Sequence, residues 1–496
     1  MASRLGDQIS ADHLKLVFCV ISSYPLALIY RTLPAKYPIF RHIFSIIYAI
    51  FTMGLVLKFY EGTIHIGLTA LFTYIFMKWY RGNNGAYINF VIVMLSLSIC
   101  HIDRKIKGYE GSSKLDYSGP LMVAIIKLSS FGFNITDGRS NNATTAYNER
   151  MKIVHYPSLI EFFGWICFFG GFLVGPTSEY MDYYRYTNTF FISKERYISP
   201  YAATLRQITL GIIAAIVMIL VGHTYNYSRM LDDTFLNIPL YKKLVFLNVV
   251  GLVERCKFSC IWLLAEGGCV LSGFGYNGIK QQEDGTQKHQ WDRLRNVDWI
   301  ACETAQSFKD LSNGWNVSTN NWLRHYVYNR VTPPGTKPTS RTLAITYITS
   351  ALWHGFYPGY YALFIPFGMF QSLSRRIRRT IRPFFVINSS EGTSSPTSPS
   401  MLRVVWKKTY DFMGYLISMT LIAILVVPFE LLHFSRIRKV WSSIYYLHIW
   451  GYMLTWIILG VIESVLFSMQ QKQRKQQEVL DNQMNHKLKE LKQKTL

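Results

Sequence analysis

Residues 203–222 read ATLRQITLGIIAAIVMILVG and contain one charged residue, Arg206. Because a helix rises about 1.5 Å per residue, about 20 such residues cross the roughly 30 Å hydrocarbon core of a bilayer. Similar stretches recur along the chain, at 14–30, 40–58, 64–80, 86–101, 119–134, 157–175, 241–253, 257–275, 341–355, 359–373, 409–432 and 443–467. They lack the alternation of polar and apolar residues that is typical of membrane β-barrels. The sequence therefore predicts an all-α, polytopic membrane protein with about eleven transmembrane helices.

The composition supports this interpretation. Half of the 496 residues are hydrophobic and only 16% are charged, whereas soluble domains carry about 25% charged residues. The formal net charge of +23 comes from Lys and Arg that flank apolar segments, as in the cytosolic loops of membrane proteins. We therefore expect membrane lipids, and no nucleic acid, as partners. The seven cysteines form no CxxC pair, and we expect no metal site.

The apolar stretches extend over a single predicted transmembrane domain, residues 1–468. Within it, residues 276–340 are too polar for a lipid-facing span, and we expect amphipathic or re-entrant helices packed in the protein or at the interface. Residues 387–400 are rich in Ser and Pro and predict a flexible loop. The basic tail, 469–496, is expected to be a frayed helix in the cytosol. Its ending, 492–496, matches a KxKxx endoplasmic reticulum retrieval signal.

A histidine interrupts the apolar segment SALWHGFYPGYY, residues 350–361. Ionisable residues within membrane segments are costly and are often functional, and imidazole moves protons near neutral pH. Gly355 and Gly359 would let another backbone or a ligand approach closely. From the local sequence, His354 is equally compatible with a catalytic role and with a structural hydrogen bond across a helix interface.

Polar side chains also cluster in WNVSTNNWLR, residues 315–324. Buried amides and hydroxyls without partners cost free energy, so this segment predicts a wet cavity or a ligand site. Glu254, Arg255 and Lys257 separate two apolar stretches; they lie either at a membrane surface or towards a protein interior.

Five motifs together resemble the membrane-bound O-acyltransferase (MBOAT) family, and most closely the fungal-type lysophospholipid acyltransferases with broad head-group tolerance. They are GYNG at 275–278, WDRLRN at 291–296, ETAQ at 303–306, WNxxTNxWL at 315–323 and SALWHGxxPGYY at 350–361. The resemblance implies an MBOAT fold around a buried chamber, where an acyl-CoA tunnel from the cytosol meets a lipid entrance. It also implies that His354 and Asn316 are the catalytic pair.

The same motifs suggest substrate-binding residues. These are Trp315, Thr319, Asn320, Trp322, Arg324, Arg330, Trp353, Tyr360, Tyr276, Asn277, Glu303, Arg255 and Lys257. Arg324 and Arg330 are candidates for the CoA phosphates, because guanidinium groups pair well with phosphate.

The expected reaction re-acylates the sn-2 hydroxyl of a 1-acyl lysophospholipid with an acyl-CoA co-substrate and needs no cofactor. His354 would act as general base or as a hydrogen-bond positioner, and Asn316 would stabilise the oxyanion or orient the histidine.

Two alternatives remain: an MBOAT acting on a sterol, diacylglycerol or protein, and a non-enzymatic lipid transporter. The FYxDWWN-type motif of sterol and diacylglycerol acylators is absent, and so are transporter-like internal repeats. Head-group preference, acyl preference and oligomeric state are not readable from the sequence.

Overall fold

The computed structural model describes residues 11–109, 114–140, 145–333, 335–385 and 401–494. The predicted loop 387–400 and the last two residues of the KxKxx ending lie outside these ranges. The N-terminal half contains α1 (Ala11–Thr32), α2 (Ile39–Ile50, continued by a π-helix at Phe51–Val56), α3 (Tyr60–Trp79), α4 (Gly85–Ile106), α5 (Ser118–Ser140), α6 (Ala146–Met151), α7 (Leu159–Ile166), α8 (Tyr180–Arg185), α9 (Tyr201–Gly222) and α10 (Asp233–Leu236).

The C-terminal half contains a long helix, a small hairpin, a set of short helices and then long helices again. In order these are α11 (Leu240–Ser272), β1 (Ile279–Gln281), β2 (Gln287–His289), α12 (Trp299–Glu303), α13 (Phe308–Gly314), α14 (Val317–Trp322), a π-helix (Leu323–Tyr328), α15 (Asn329–Val331), α16 (Ser340–His354), α17 (Pro358–Ile381), α18 (Met401–Leu431), α19 (Phe434–Ser443) and α20 (Leu447–Lys494). Among the residues described, the regular elements are therefore all helices apart from the one hairpin.

Seven described helices are long and apolar enough to cross a membrane. They are Ala11–Thr32, Ile39–Val56, Gly85–Ile106, Ser118–Ser140, Tyr201–Gly222, Val404–Leu431 and Leu447–Lys472. Four further long helices, α3, α11, α16 and α17, coincide with the other predicted stretches but are shorter or more polar. On α9, Leu205, Ile212, Ile216 and Leu220 form an exposed apolar stripe, as expected for a lipid-facing helix. The prediction of an all-α polytopic membrane protein is confirmed.

Three predicted stretches differ from the structure. The stretches 241–253 and 257–275 form one continuous helix, α11, because the charges between them are paired by side chains of the protein. The stretch 157–175 contains only the eight-residue helix α7, followed by turns at 167–174. Eight residues extend about 12 Å, which is too short to span a bilayer.

Helix α5 lies at the centre of the bundle and contacts α3 and α4. Its two internal charges are both satisfied by the protein. The Lys127 ammonium donates to the carbonyls of Trp165 (2.8 Å) and Ile166 (3.2 Å), and the Asp137 carboxylate accepts two hydrogen bonds from Arg330. Buried charges are tolerated only when paired in this way, so α5 is an internal rather than a lipid-facing helix.

The polar region 276–340 is only partly helical. Residues 279–289 form an exposed antiparallel hairpin, where helices were expected. The Asp284 carboxylate accepts hydrogen bonds from the Thr286 amide and hydroxyl, and this local bonding favours a turn over a helix. From Trp299 onwards the region forms the short helices α12–α15, which pack against α5, α16 and α17.

The predicted tail is not a separate segment among the described residues. Helix α20 continues through it without interruption from Leu447 to Lys494. Its first part is one of the candidate spans, and the remainder is the basic, Gln-rich end of the chain.

Candidate active site

His354 is the last residue of α16, at a sharp reversal of the chain. Gly355 adopts a φ of +128°, and its amide donates to the carbonyls of Ala351 (3.0 Å) and Leu352 (3.2 Å). Gly359, at the start of α17, packs so closely on α18 that a Cβ atom there would overlap the carbonyl oxygen of Pro428. The structure therefore shows the close backbone approach at Gly359, whereas side chains lie nearest to Gly355, and the contact at Gly359 places His354 beside the end of α18.

Aromatic rings surround the His354 imidazole. Its centroid lies 4.9 Å from that of Phe364, in a stacked arrangement, 5.1 Å from Phe429 and 5.7 Å from Tyr360. The side chain is half-buried and makes no hydrogen bond to any of the described residues. The structural hydrogen bond across a helix interface, which the local sequence left open as an alternative, is therefore not found among them, and both ring nitrogens are available to a ligand.

Asn316 precedes α14 and has a left-handed backbone conformation, with φ 44° and ψ 53°. Its carboxamide is half-buried and, within the described part of the chain, has no hydrogen-bond partner. By contrast, the neighbouring amide of Asn320 donates to the Ser312 carbonyl at 2.5 Å. Asn316 thus carries a free amide, whereas Asn320 supports the loop.

One aromatic contact joins the Asn316 and His354 segments directly. Trp322, at the end of α14, lies 6.1 Å from Trp353 between ring centroids. At the other end of α14, Trp315 lies 5.0 Å from Trp262 of α11, and it packs on the same apolar cluster as Phe364 and Phe429, the rings around His354. The structure therefore brings the segments that carry the two predicted catalytic residues together around one apolar cluster.

Several predicted substrate-binding residues instead support the fold. Arg255 forms a bidentate ion pair with Glu303, at 2.8 and 2.7 Å, and Arg330 forms one with Asp137, at 2.8 and 2.5 Å. These guanidinium groups are occupied by carboxylates. Arg330 is therefore a poor candidate for the CoA phosphates, which is a correction to the expectation above.

Arg324 remains a candidate for phosphate binding. It is exposed, and its contact with the Asn313 side chain is long, at 3.4 Å. A cation that is held this weakly can turn towards an anionic ligand.

The remaining predicted residues fall into two groups. Thr319, Trp322 and Trp353 are buried in the packing of α14 and α16, where the Trp322 indole donates to the Ser129 hydroxyl at 2.9 Å. Tyr276 and Asn277 contact the hairpin and the segment after it, through His289 (3.2 Å) and Asp292 (3.0 Å). The first group therefore shapes the site, and the second belongs to the base of the hairpin.

Lys257 lies on α11 beside two carboxylates. Its ammonium is 2.7 Å from Glu254 and 3.9 Å from Glu430 of α18, the residue after Phe429. The sequence reasoning missed Glu430 and Phe429; the signal was an acid beside Pro428, near the end of an apolar span. It also missed Phe364 and His101, whose ring lies 3.1 Å from the Trp353 carbonyl.

The fold and the site define a polytopic membrane protein in which a histidine and an amide, both unpaired within the described part of the chain, lie on segments that meet around one apolar cluster. Residues 122–393 match the family model described as MBOAT, membrane-bound O-acyltransferase family. The chain is 32% identical, over 92% of its length and 87% of the relative's, to a lysophospholipid acyltransferase of Schizosaccharomyces pombe. It is 30% identical to a lysophospholipid acyltransferase of Saccharomyces cerevisiae (88% and 72% covered), and 27% identical to membrane-bound glycerophospholipid O-acyltransferase 1 of Homo sapiens (82% and 79% covered).

The chain belongs to the membrane-bound O-acyltransferase family and is an O-acyltransferase. The resemblance found in its motifs is thereby confirmed.

Proposed function

We propose that this protein transfers the acyl group of an acyl-CoA to the sn-2 hydroxyl of 1-acyl lysophospholipids and releases free CoA. The acceptors are lysophosphatidylcholine, lysophosphatidylethanolamine, lysophosphatidylserine and lysophosphatidic acid. One structural observation carries the proposal: His354 and Asn316 are polar, unpaired within the described residues, and lie on segments that meet around one apolar cluster. The names of the relatives support the choice of acceptor.

His354 acts as the general base in this proposal. An alcohol is a weak nucleophile at neutral pH, so its proton must be removed as its oxygen attacks the thioester carbonyl. A neutral imidazole nitrogen without a protein partner can accept that proton and then return it to the departing thiolate of CoA. The aromatic rings exclude water around the imidazole, which disfavours hydrolysis of the thioester.

Asn316 donates from its carboxamide to the thioester oxygen as negative charge develops there. A fixed amide donor at such a position typically contributes about 10²–10³ in rate. If Asn316 instead orients the imidazole, the same substitution lowers the rate for a different reason; no metal or cofactor is needed in either case. Arg324 provides a cationic contact for the CoA phosphates.

The proposal also includes the membrane in which the protein resides and the side on which α20 ends. The enzyme resides in the endoplasmic reticulum membrane, with the C-terminal end of α20 in the cytosol. Residues 469–496 contain seven Lys or Arg and three Asp or Glu, and such an excess of basic residues favours the cytosolic side.

The test is an acyl-transfer assay on the full-length protein in microsomes with labelled oleoyl-CoA. The acceptor panel contains the four lysophospholipids, diacylglycerol and a sterol. We expect CoA release and labelled diacyl phospholipid only with the lysophospholipids. Product formed mainly from diacylglycerol or the sterol would refute the proposed acceptor, and transport of lipid without CoA release would refute the enzymatic role.

The residue assignments are tested with matched substitutions. His354→Ala and Asn316→Ala should each lower activity per protein by at least about 10². His42→Ala and Asn248→Ala are the controls, because these side chains have protein partners: Tyr183 for His42, and Thr420 and Leu244 for Asn248. The controls should lose protein abundance and keep activity per protein. If His354→Ala keeps wild-type activity per protein, the general-base assignment is wrong.

A further inference from the structure

The start of α14 lacks the usual cap. The first amides of a helix have no partner within the helix, and an Asn in the preceding position normally accepts a hydrogen bond from one of them. Asn316 occupies that position but makes no side-chain cap, and its left-handed backbone differs from the extended conformation of an ordinary cap residue. The amides of α14 must therefore be satisfied from elsewhere.

Asn296, from the WDRLRN segment, supplies this cap. Its backbone carbonyl accepts from the Val317 amide at 2.8 Å, and its side-chain Oδ1 accepts from the Ser318 amide at 3.3 Å. Asn296 is only 2% exposed, so its position is fixed by packing. Because Asn296 satisfies both amides, the carboxamide of Asn316 is left free.

A buried carboxylate in turn holds Asn296. Oε2 of Glu266, on α11, accepts from the backbone amide of Asn296 at 3.2 Å. Its Oε1 accepts from the side-chain amide of Gln207, on α9, at 2.7 Å. Glu266 is 1% exposed, and none of the ion pairs found among the described residues includes it. A buried carboxylate with neutral donors alone is costly and calls for a reason. Here, one oxygen of Glu266 holds the backbone of Asn296 and the other holds the side chain of Gln207.

We infer that Asn296 is a positioning residue for acyl transfer: it caps α14 in place of Asn316, and Glu266 holds Asn296 where it can do so. The inference rests on the proposed function of Asn316. Asparagine adopts the left-handed conformation more readily than other non-glycine residues, so Asn316 can stay in it while Asn296 provides the cap. In Asn296→Ala, the backbone carbonyl at 296 still accepts from the Val317 amide, but the Ser318 amide loses its acceptor. The Asn316 carboxamide is then free to turn back and cap α14 at Ser318, away from the thioester.

The first experiment measures steady-state kinetics of purified full-length protein in lipid nanodiscs, with oleoyl-CoA and lysophosphatidylcholine. Asn296→Ala should lower kcat about tenfold or more and leave the KM of both substrates nearly unchanged, because a small misplacement of a catalytic group affects mainly the chemical step. Ser307→Ala is the matched control. It removes the side-chain cap of the neighbouring helix α13, where Ser307 accepts from the Asp310 amide at 3.2 Å. This control should lower thermal stability and leave kcat unchanged.

The second experiment combines substitutions. If Asn296 acts through Asn316, the double variant Asn296→Ala/Asn316→Ala should have the same kcat as Asn316→Ala alone, because residues that act as a unit are not additive. A further loss of tenfold or more in the double variant would contradict positioning through Asn316.

The third experiment replaces Glu266 and then exchanges it with its partner Gln207. Glu266→Gln leaves one oxygen to accept and should lower kcat about tenfold, since either the Asn296 amide or the Gln207 amide then loses its acceptor. The double variant Gln207→Glu/Glu266→Gln restores the pattern. In this double variant, the carboxamide at position 266 donates its N–H to the carboxylate at position 207. The oxygen of that carboxamide accepts from the backbone amide of Asn296. We expect this swap to recover most of the wild-type kcat.

The outcomes separate this inference from the proposed function. If Asn316→Ala keeps wild-type kcat, the proposed role of Asn316 fails. If Asn316→Ala is inactive while folded Asn296→Ala and Glu266→Gln both keep wild-type kcat, the proposed function stands and the positioning inference is overturned. If Asn296→Ala fails to fold, the double variant Gln207→Glu/Glu266→Gln still tests the inference. A double variant that folds but does not recover kcat contradicts the role given to Glu266.

Discussion

The contact between Gly359 and α18 gives a sharp prediction about how packing controls the site. A Cβ atom at position 359 would overlap the Pro428 carbonyl oxygen and lie 2.9 Å from the Leu432 Cα, both of them backbone atoms that no side-chain rotation can move. The Gly359 amide also donates to the Leu432 carbonyl at 2.9 Å. Gly359→Ala must therefore push the start of α17 away from the end of α18.

The magnitude follows from this geometry. Overpacking of this kind costs about 1–3 kcal/mol of stability. Phe429 of α18 and Phe364 of α17 contact His354 from the two helices that separate. A misplacement of about 1 Å at a reacting group can cost about 10² in rate. We therefore expect kcat to fall about 100-fold, far more than the modest loss of stability would cause.

The assay is steady-state acyl transfer together with thermal unfolding of the full-length protein in detergent. Gly451→Ala on α20 is the control, because a Cβ atom there meets no atom within 4 Å. It should leave both measurements unchanged or stabilise slightly, since Ala favours a helix. If Gly359→Ala keeps wild-type kcat and stability, the close contact between α17 and α18 does not shape the site, and the reasoning is refuted.

Three further predictions concern the supports of the site. Removing either partner of the Asp137–Arg330 pair should destabilise the protein by about 3–5 kcal/mol in thermal unfolding, whereas Asp137→Leu/Arg330→Met together should recover much of that loss, because no buried charge is left unpaired. Equal stability of single and double variants would contradict this. Arg324→Ala should raise the KM for acyl-CoA about three- to tenfold without a change in thermal stability, since an exposed phosphate contact is worth about 1 kcal/mol; an unchanged KM would remove Arg324 from the CoA site. Trp322→Phe should cost at least about 1 kcal/mol, because it removes the hydrogen bond to Ser129 and leaves space where the larger indole was buried, and a variant as stable as wild type would contradict this.

The pattern of apolar segments predicted most of the long helices, but it misjudged two of them. Residues 157–175 are apolar because they are buried against α5, whose Lys127 bonds to the carbonyls of Trp165 and Ile166. An apolar composition indicates that a segment is kept away from water, but it does not distinguish burial in lipid from burial in protein. The charges in α11 suggested a break for the converse reason, because Glu303 and Glu430, the carboxylates beside Arg255 and Lys257, lie far away in the sequence.

The sequence by itself determined the class of protein and the identity of the two candidate catalytic residues. Hydrophobic length is a local property, and the motifs around Asn316 and His354 are contiguous, so both can be read along the chain.

Only the tertiary structure decided which polar groups are free. Arg330 is taken up by Asp137, 193 residues away, and Asn316 is released from capping by Asn296 and Glu266. Whether a side chain has a partner depends on long-range contacts, and no local pattern records them. The free amide and the free imidazole are therefore properties of the folded protein.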